Sequence, residues 1–135
     1  MTEQDLLEYA RCEREIAKLH SRYKEEEARM CCPRSPSIDG SLRGAGSDDP
    51  FLDILDRRKK LKERISRLAE DRVMAERRLD RAYAVLDSDV ERDLFECLYR
   101  EGLRIEDAAK KIRYSTSYTY HVRSVILERI APLPN

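Results

Sequence analysis

From Ile54 onward the chain returns to one stripe at alternating steps of four and three residues. The positions are Ile54, Arg58, Leu61, Ile65, Leu68, Arg72, Ala75, Leu79, Ala82 and Leu86, and eight of these ten are apolar. Steps that average 3.5 residues lay a continuous seam along a helix, the signature of a coiled coil. The spacing predicts a helix over 51–86, about 50 Å long at the helical rise. Arg58 and Arg72, two heptads apart, interrupt the stripe and are placed to fix its register. A weaker seven-residue repeat, Tyr9, Ile16, Tyr23 and Met30, with Leu6 one turn before it, predicts a helix over 4–30. Its companion positions Glu13, His20 and Glu27 are polar, and His20 reads as a polar member of a helix–helix seam. Between the two helices, "CCPRSPSIDGSLRGAGSDDP" holds three of the five prolines and three of the four glycines. That density of breakers predicts a flexible loop over 31–50. Its "GSLRGAG" lacks the GK[ST] ending of a phosphate-binding loop and follows no strand.

A third pattern begins at Ser88. "SDVE" has the form of a capping box, with Glu91 reaching back to the cap, and Leu94, Phe95 and Leu98 supply an apolar face. Gly102 is placed to end that helix in the left-handed conformation. Two short helices follow, about 105–112 and 115–130, joined by a very tight turn, the pattern of a helix-turn-helix. Ala108 and Ala109 are small enough for two helices to cross there. Ile105, Ile112, Tyr114, Thr119, Val122 and Ile126 are expected to face inward as anchors, and Ser115 to cap the last helix. The predicted fold class is all-α: an N-terminal antiparallel helical hairpin or coiled coil over 1–86, then a helix-turn-helix unit over 87–135.

Composition narrows the functional classes. The chain is 40% charged, yet its formal net charge is zero, so no global field draws it to nucleic acid. The charge is uneven instead. Residues 51–86 carry eleven basic and seven acidic side chains, and 109–129 carry five and one. The basic run Arg57 to Arg64 wraps around its helix and reads as solvated surface. No apolar run is long enough to span a membrane, and the N-terminus lacks the pattern of a secretory signal. Cys12, Cys31, Cys32 and Cys97 form no CxxC pair, so neither metal nor cofactor is called for. Adjacent Cys31 and Cys32 read as free thiols of a reducing cytoplasm. No nucleophile, base and orienting group fall at persuasive spacing, so no enzyme is expected.

The longest stretch free of charged residues, Tyr114 to Val122, holds three of the seven tyrosines. With the anchors turned inward, helical geometry points Thr116, Ser117, Tyr120, His121 and Ser124 outward near the start of the last helix. Hydroxyls and planar donor–acceptor groups suit the reading of base edges. Lys110, Lys111, Arg113 and Arg123 around them suit phosphate contacts. Ile54, Leu61, Ile65, Leu68 and Leu79 form the expected seam for a dimer or partner. One departure stands out: Arg113 occupies a turn position where the backbone tends towards positive φ and glycine is usual, at a cost of about 1 kcal/mol.

"EGLRIEDAAKKIRYSTSYTYHVRSVILERI" resembles region 4 of sigma-70-type factors. Gly102, Leu103, Ala109, Ile112 and Ser115 match its pattern. Asp107 and Ala108 stand where Glu and Ile are commoner, and Arg113 replaces the turn glycine. In layout the whole chain resembles small phage and prophage proteins classed with late-gene transcriptional regulators of the ArpU/RinA type. The resemblance implies a DNA-binding regulator in the cytoplasm of a bacterial host, with RNA polymerase as a candidate partner, and the apolar seam of the long helix adds the expectation of a homodimer or higher oligomer. Without the promoter-melting and core-binding regions of a full sigma factor, it is not expected to initiate transcription alone. Two alternatives stay open. One is a protein-interaction module that binds RNA polymerase or another partner through the coiled coil. The other is a small-terminase-like DNA-packaging adaptor.

Overall fold

The computed structural model describes residues 1–31 and 50–135, with the side chains of Met30, Cys31 and Pro50 outside that description. The loop reading over 31–50, its glycine-loop comparison and the Cys31–Cys32 thiols therefore lie outside the described residues. The described chain is all-helical. Its order is α1 (Glu3–Cys31), α2 (Pro50–Ala84), α3 (Asp89–Phe95), a π turn (Glu96–Arg100), α4 (Ile105–Ile112) and α5 (Thr116–Ile130). Among the described residues, no helix is long and apolar enough to cross a membrane.

The chain divides into two compact units, Met1–Glu13 with Glu70–Asn135, and Arg14–Ala69. The first holds the larger core. Leu6, Leu79, Ala82, Leu94, Phe95, Tyr99, Ala108, Ile126 and Ile130 are fully enclosed there. Phe95 is its aromatic centre, with ring centroids 5.9 Å from Tyr83 and 5.1 Å from Tyr99. Edge and tilted ring pairs of this kind add stability beyond the area they bury. Burial pushes the Tyr99 phenol upward in pKa, and the Glu3 carboxylate that accepts a hydrogen bond from it at 3.1 Å pushes the same way. Cys12 and Cys97 are buried, free thiols whose pKa burial likewise raises, which keeps them in the unreactive thiol form.

Local sequence explains the element ends. Ser88 caps α3: its hydroxyl accepts from the Glu91 backbone N–H at 3.2 Å, and the Glu91 carboxylate accepts the Ser88 N–H at 2.8 Å. Glu91 is nearly buried, and Arg129 of α5 donates to its second oxygen. The helix expected over 88–100 does not stay regular. From Glu96 it widens, and the Glu101 N–H reaches back five residues to the Glu96 carbonyl at 3.0 Å. Gly102 then turns the chain at φ 72°, a conformation open to a residue without Cβ.

The second unit has a thinner interior. Ile16 and Leu19 are buried, while Ile54, Leu61, Ile65 and Leu68 are only half-buried. Polar contacts supplement them. The Arg58 guanidinium donates to the Tyr23 hydroxyl at 2.9 Å and sits 4.7 Å above that ring. Arg57 lies 3.3 Å from Glu26, which also receives Arg29 at 3.0 Å. The other stripe-breaking arginine, Arg72 in the first unit, donates to Glu13 at 2.8 Å. His20 is exposed.

Two inward or seam assignments need correction. Tyr114 is not an anchor: it is 45% exposed, because the left-handed residue before it throws the chain outward. Leu79 cannot serve a second copy, since its own chain encloses it completely.

Candidate nucleic-acid interface

The candidate interface begins where α4 stops. Arg113 takes φ 65° and ψ 41°, the left-handed conformation. The Tyr114 N–H then reaches the Ala109 carbonyl at 3.1 Å, and the Arg113 N–H reaches that of Lys110 at 3.3 Å. This pair of bonds is a Schellman closure, built here with arginine where glycine is usual. Ser115 follows at once as the N-cap of α5, its hydroxyl accepting from the Tyr118 N–H at 3.2 Å. A single residue, Tyr114, thus separates the end of one helix from the cap of the next. Fully buried Ala108 and nearly buried Ala109 let the two helices approach. Thr119 is the one polar anchor, wholly buried, and its hydroxyl donates to the Ser115 carbonyl at 2.8 Å, so that hydroxyl is satisfied. Val122, Ile126 and Ile130 continue the buried side of α5, beside Ile105 of α4, while Ile112 is half-buried.

All five residues expected to read bases, Thr116, Ser117, Tyr120, His121 and Ser124, are exposed. They lie on the first turns of one helix. Ser124 is partly committed, since its hydroxyl donates to the Tyr120 carbonyl at 3.2 Å. Tyr120 carries the Arg123 guanidinium 5.4 Å from its ring centre.

The four expected phosphate ligands divide. Lys110 and Arg113 are exposed, and among the described residues neither forms an ion pair. Lys111 donates to both oxygens of Glu101 at 2.7 Å. That hydrogen bond raises its pKa, so the charge persists but is locally neutralised. Arg123 is half-buried with a guanidinium nitrogen 3.8 Å from Glu3. Lys110 and Arg113 are therefore the cations readiest for an external anion.

Sequence reasoning missed an aromatic strip. Tyr114 and Tyr118 are both exposed, with ring centroids 5.1 Å apart, and Tyr118 lies 6.3 Å from the His121 ring. A signal was present: 114 to 118 is one helical turn, and a residue just past a left-handed cap falls outside the helix packing. Of the expected seam, Ile54, Leu61, Ile65 and Leu68 are half-buried in the second unit, and Leu79 lies in the core of the first. Among the described residues, no cluster of three His, Cys, Asp or Glu side chains is placed to hold a metal. Compared with protein-family models, curated proteins and solved structures, the chain matches none.

Proposed function

We propose that the protein is a sequence-specific double-stranded DNA-binding transcriptional regulator of phage or prophage type. In this reading α4 and α5 form a helix-turn-helix of the sigma region 4 kind, and α5 enters the major groove. One observation carries it: the exposed face of α5 from Thr116 to Ser124 offers hydroxyls, a phenol and an imidazole without a single carboxylate. Such a face hydrogen-bonds to base edges without repelling phosphate. Lys110 and Arg113 stand beside it, where contacts to the backbone set position rather than sequence. Pairing of α1 with α2 in opposite directions, suggested by the Tyr23–Arg58 and Glu26–Arg57 contacts, forms the hairpin. The half-buried stripe Ile54, Leu61, Ile65 and Leu68 is then the seam for a second copy. A dimer would read half-sites about one helical turn apart, or a multiple of it.

The test is selection from a random duplex pool by the purified full chain near physiological salt. An enriched motif is expected, with two-fold symmetry if a dimer binds. Tyr120→Ala and His121→Ala should flatten sequence preference. Lys110→Ala should weaken all duplexes alike and lower the salt slope by about one. Retention of no duplex defeats the reading.

A second reading is favoured by Leu52 and Leu55, which are 60% and 38% exposed near the start of α2. Apolar side chains at this position suit a protein partner, RNA polymerase or another, bound through the long helices. Co-purification with polymerase and no DNA shift would support it. A ring-sized particle in light scattering would favour the packaging adaptor instead.

A further inference from the structure

The exposed aromatic strip asks what it is for. Tyr114, Tyr118 and Tyr120 are each between 43% and 45% exposed, within two turns of one another. Tyr114, Tyr118 and His121 also touch in sequence, with the two tyrosine rings 5.1 Å apart at 37° and the imidazole 6.3 Å from Tyr118. The three rings stand side by side, so together they present one continuous, largely apolar surface. The tyrosine rings are too close to admit a base between them, which argues against a stacking platform for single strands.

The chemistry around the strip narrows its partner. From Tyr114 to Val122 there is no Arg, Lys, Asn or Gln. Those are the side chains that make bidentate pairs with guanine or adenine in the major groove. Hydroxyls accept or donate singly and discriminate weakly. The thymine C5-methyl is the apolar feature a major groove presents, and it is read by apolar contact. Ser117 and His121 lie close enough on α5 to hydrogen-bond while the Tyr118 ring meets a methyl.

We propose that Tyr118, held between Tyr114 and His121, reads thymine C5-methyl groups in the major groove of duplex DNA. This deepens the DNA-binding reading above and rests on it. Specificity then comes mainly from shape and apolar contact, not from paired hydrogen bonds to guanine.

The experiment uses the full chain and the duplex enriched from the random pool. Each thymine of the motif is replaced in turn by deoxyuridine, which removes the methyl and nothing else, and affinity is read by fluorescence anisotropy. At a contacted thymine the wild type should weaken about fourfold, the effect of withdrawing one methyl-sized group from a buried contact. Tyr118→Phe should keep that difference, since the hydroxyl is not used. Tyr118→Ala should bind thymine and uracil duplexes equally; circular dichroism on this exposed position checks that α5 is retained. Equal binding of both duplexes by the wild type, an enriched motif without thymine, or an undiminished methyl effect in Tyr118→Ala each overturns the proposal while leaving DNA binding intact. Retention of no duplex at all overturns both.

Discussion

Two stretches of the same helix α2 carry the same heptad pattern in different surroundings. Ala75, Leu79 and Ala82 have no exposed surface at all, whereas Ile54, Leu61, Ile65 and Leu68 each keep part of theirs. The first stretch belongs to a unit where α3, α4 and α5 add further packing layers, and the second to a unit built from α1 and α2 alone. Two facing helices cover only a seam, since each apolar side chain has neighbours on one side. Several helices enclose a side chain from all sides, and full enclosure is what the hydrophobic effect rewards. The two-helix unit adds charged and aromatic contacts, Arg58 on Tyr23 and Arg57 with Glu26. Such partly solvated contacts contribute modestly. The lesson is that a regular apolar repeat sets where a helix can bury surface, while the number of neighbours sets how much.

The largest effect that tests this difference is Phe95→Ala. Its ring is fully enclosed between Tyr83 and Tyr99, so truncation should cost about 3–5 kcal/mol in urea unfolding. A loss under about 1 kcal/mol would mean that the enclosed unit is no better packed than the coil.

Glu91→Ala comes next, at about 1–3 kcal/mol, because it leaves the Ser88 N–H without its acceptor and Arg129 with only the looser Asp87 pair at 3.6 Å. The same group has a pH signature. Burial alone would raise its pKa, but the Ser88 N–H, the Arg129 guanidinium and the Ser88 hydroxyl outweigh it and hold the carboxyl below its ordinary 4.5. The folded state thus favours the ionised form more than the unfolded state does. This contribution is fully present above about pH 4.5 and is lost as pH falls through the lowered value. Unfolding of wild type and Glu91→Gln, compared between about pH 6 and pH 3, should therefore converge at the acid end; parallel curves would assign the acid sensitivity elsewhere.

In the two-helix unit, Ile65→Ala should cost about 1–2 kcal/mol, less than a core truncation because the side chain is half-buried. The difference from Phe95→Ala sharpens the comparison. If Ile65→Ala costs more at high protein concentration than at low, the remaining face is covered by a second copy, and equal costs would count against such a seam.

The smallest effect is Arg113→Gly. Relief of the left-handed conformation is worth about 1 kcal/mol, and the greater unfolded-state freedom of glycine offsets about half of it. A net gain of about 0.5 kcal/mol in thermal unfolding is expected. If affinity for duplex DNA falls at the same time, the strained arginine is held there for its charge.

Much of this was legible without coordinates because it depends on neighbours in sequence. The helices over 3–31, 50–84, 105–112 and 116–130 follow apolar spacing, and the Ser88 and Ser115 caps follow side chains that reach a backbone N–H three residues on. Positive φ at Gly102 and Arg113 follows from the need to close one helix and start another within a few residues. The outward face of α5 followed from which of its residues could be buried.

What the sequence could not decide depends on which distant surfaces meet. It did not tell that Leu79 is enclosed while Leu61, in the same repeat, is not, because periodicity carries no count of neighbouring helices. The carboxylates that occupy the cations, Glu101 on Lys111 and Glu3 near Arg123, lie far off in the chain or across a turn. The ring contacts of Phe95 with Tyr83 and Tyr99 likewise arise in the packed core. Helical periodicity is a local steric property that each segment carries by itself. Enclosure, ion pairing and ring contact are properties of pairs of segments, and only the assembled fold sets those distances.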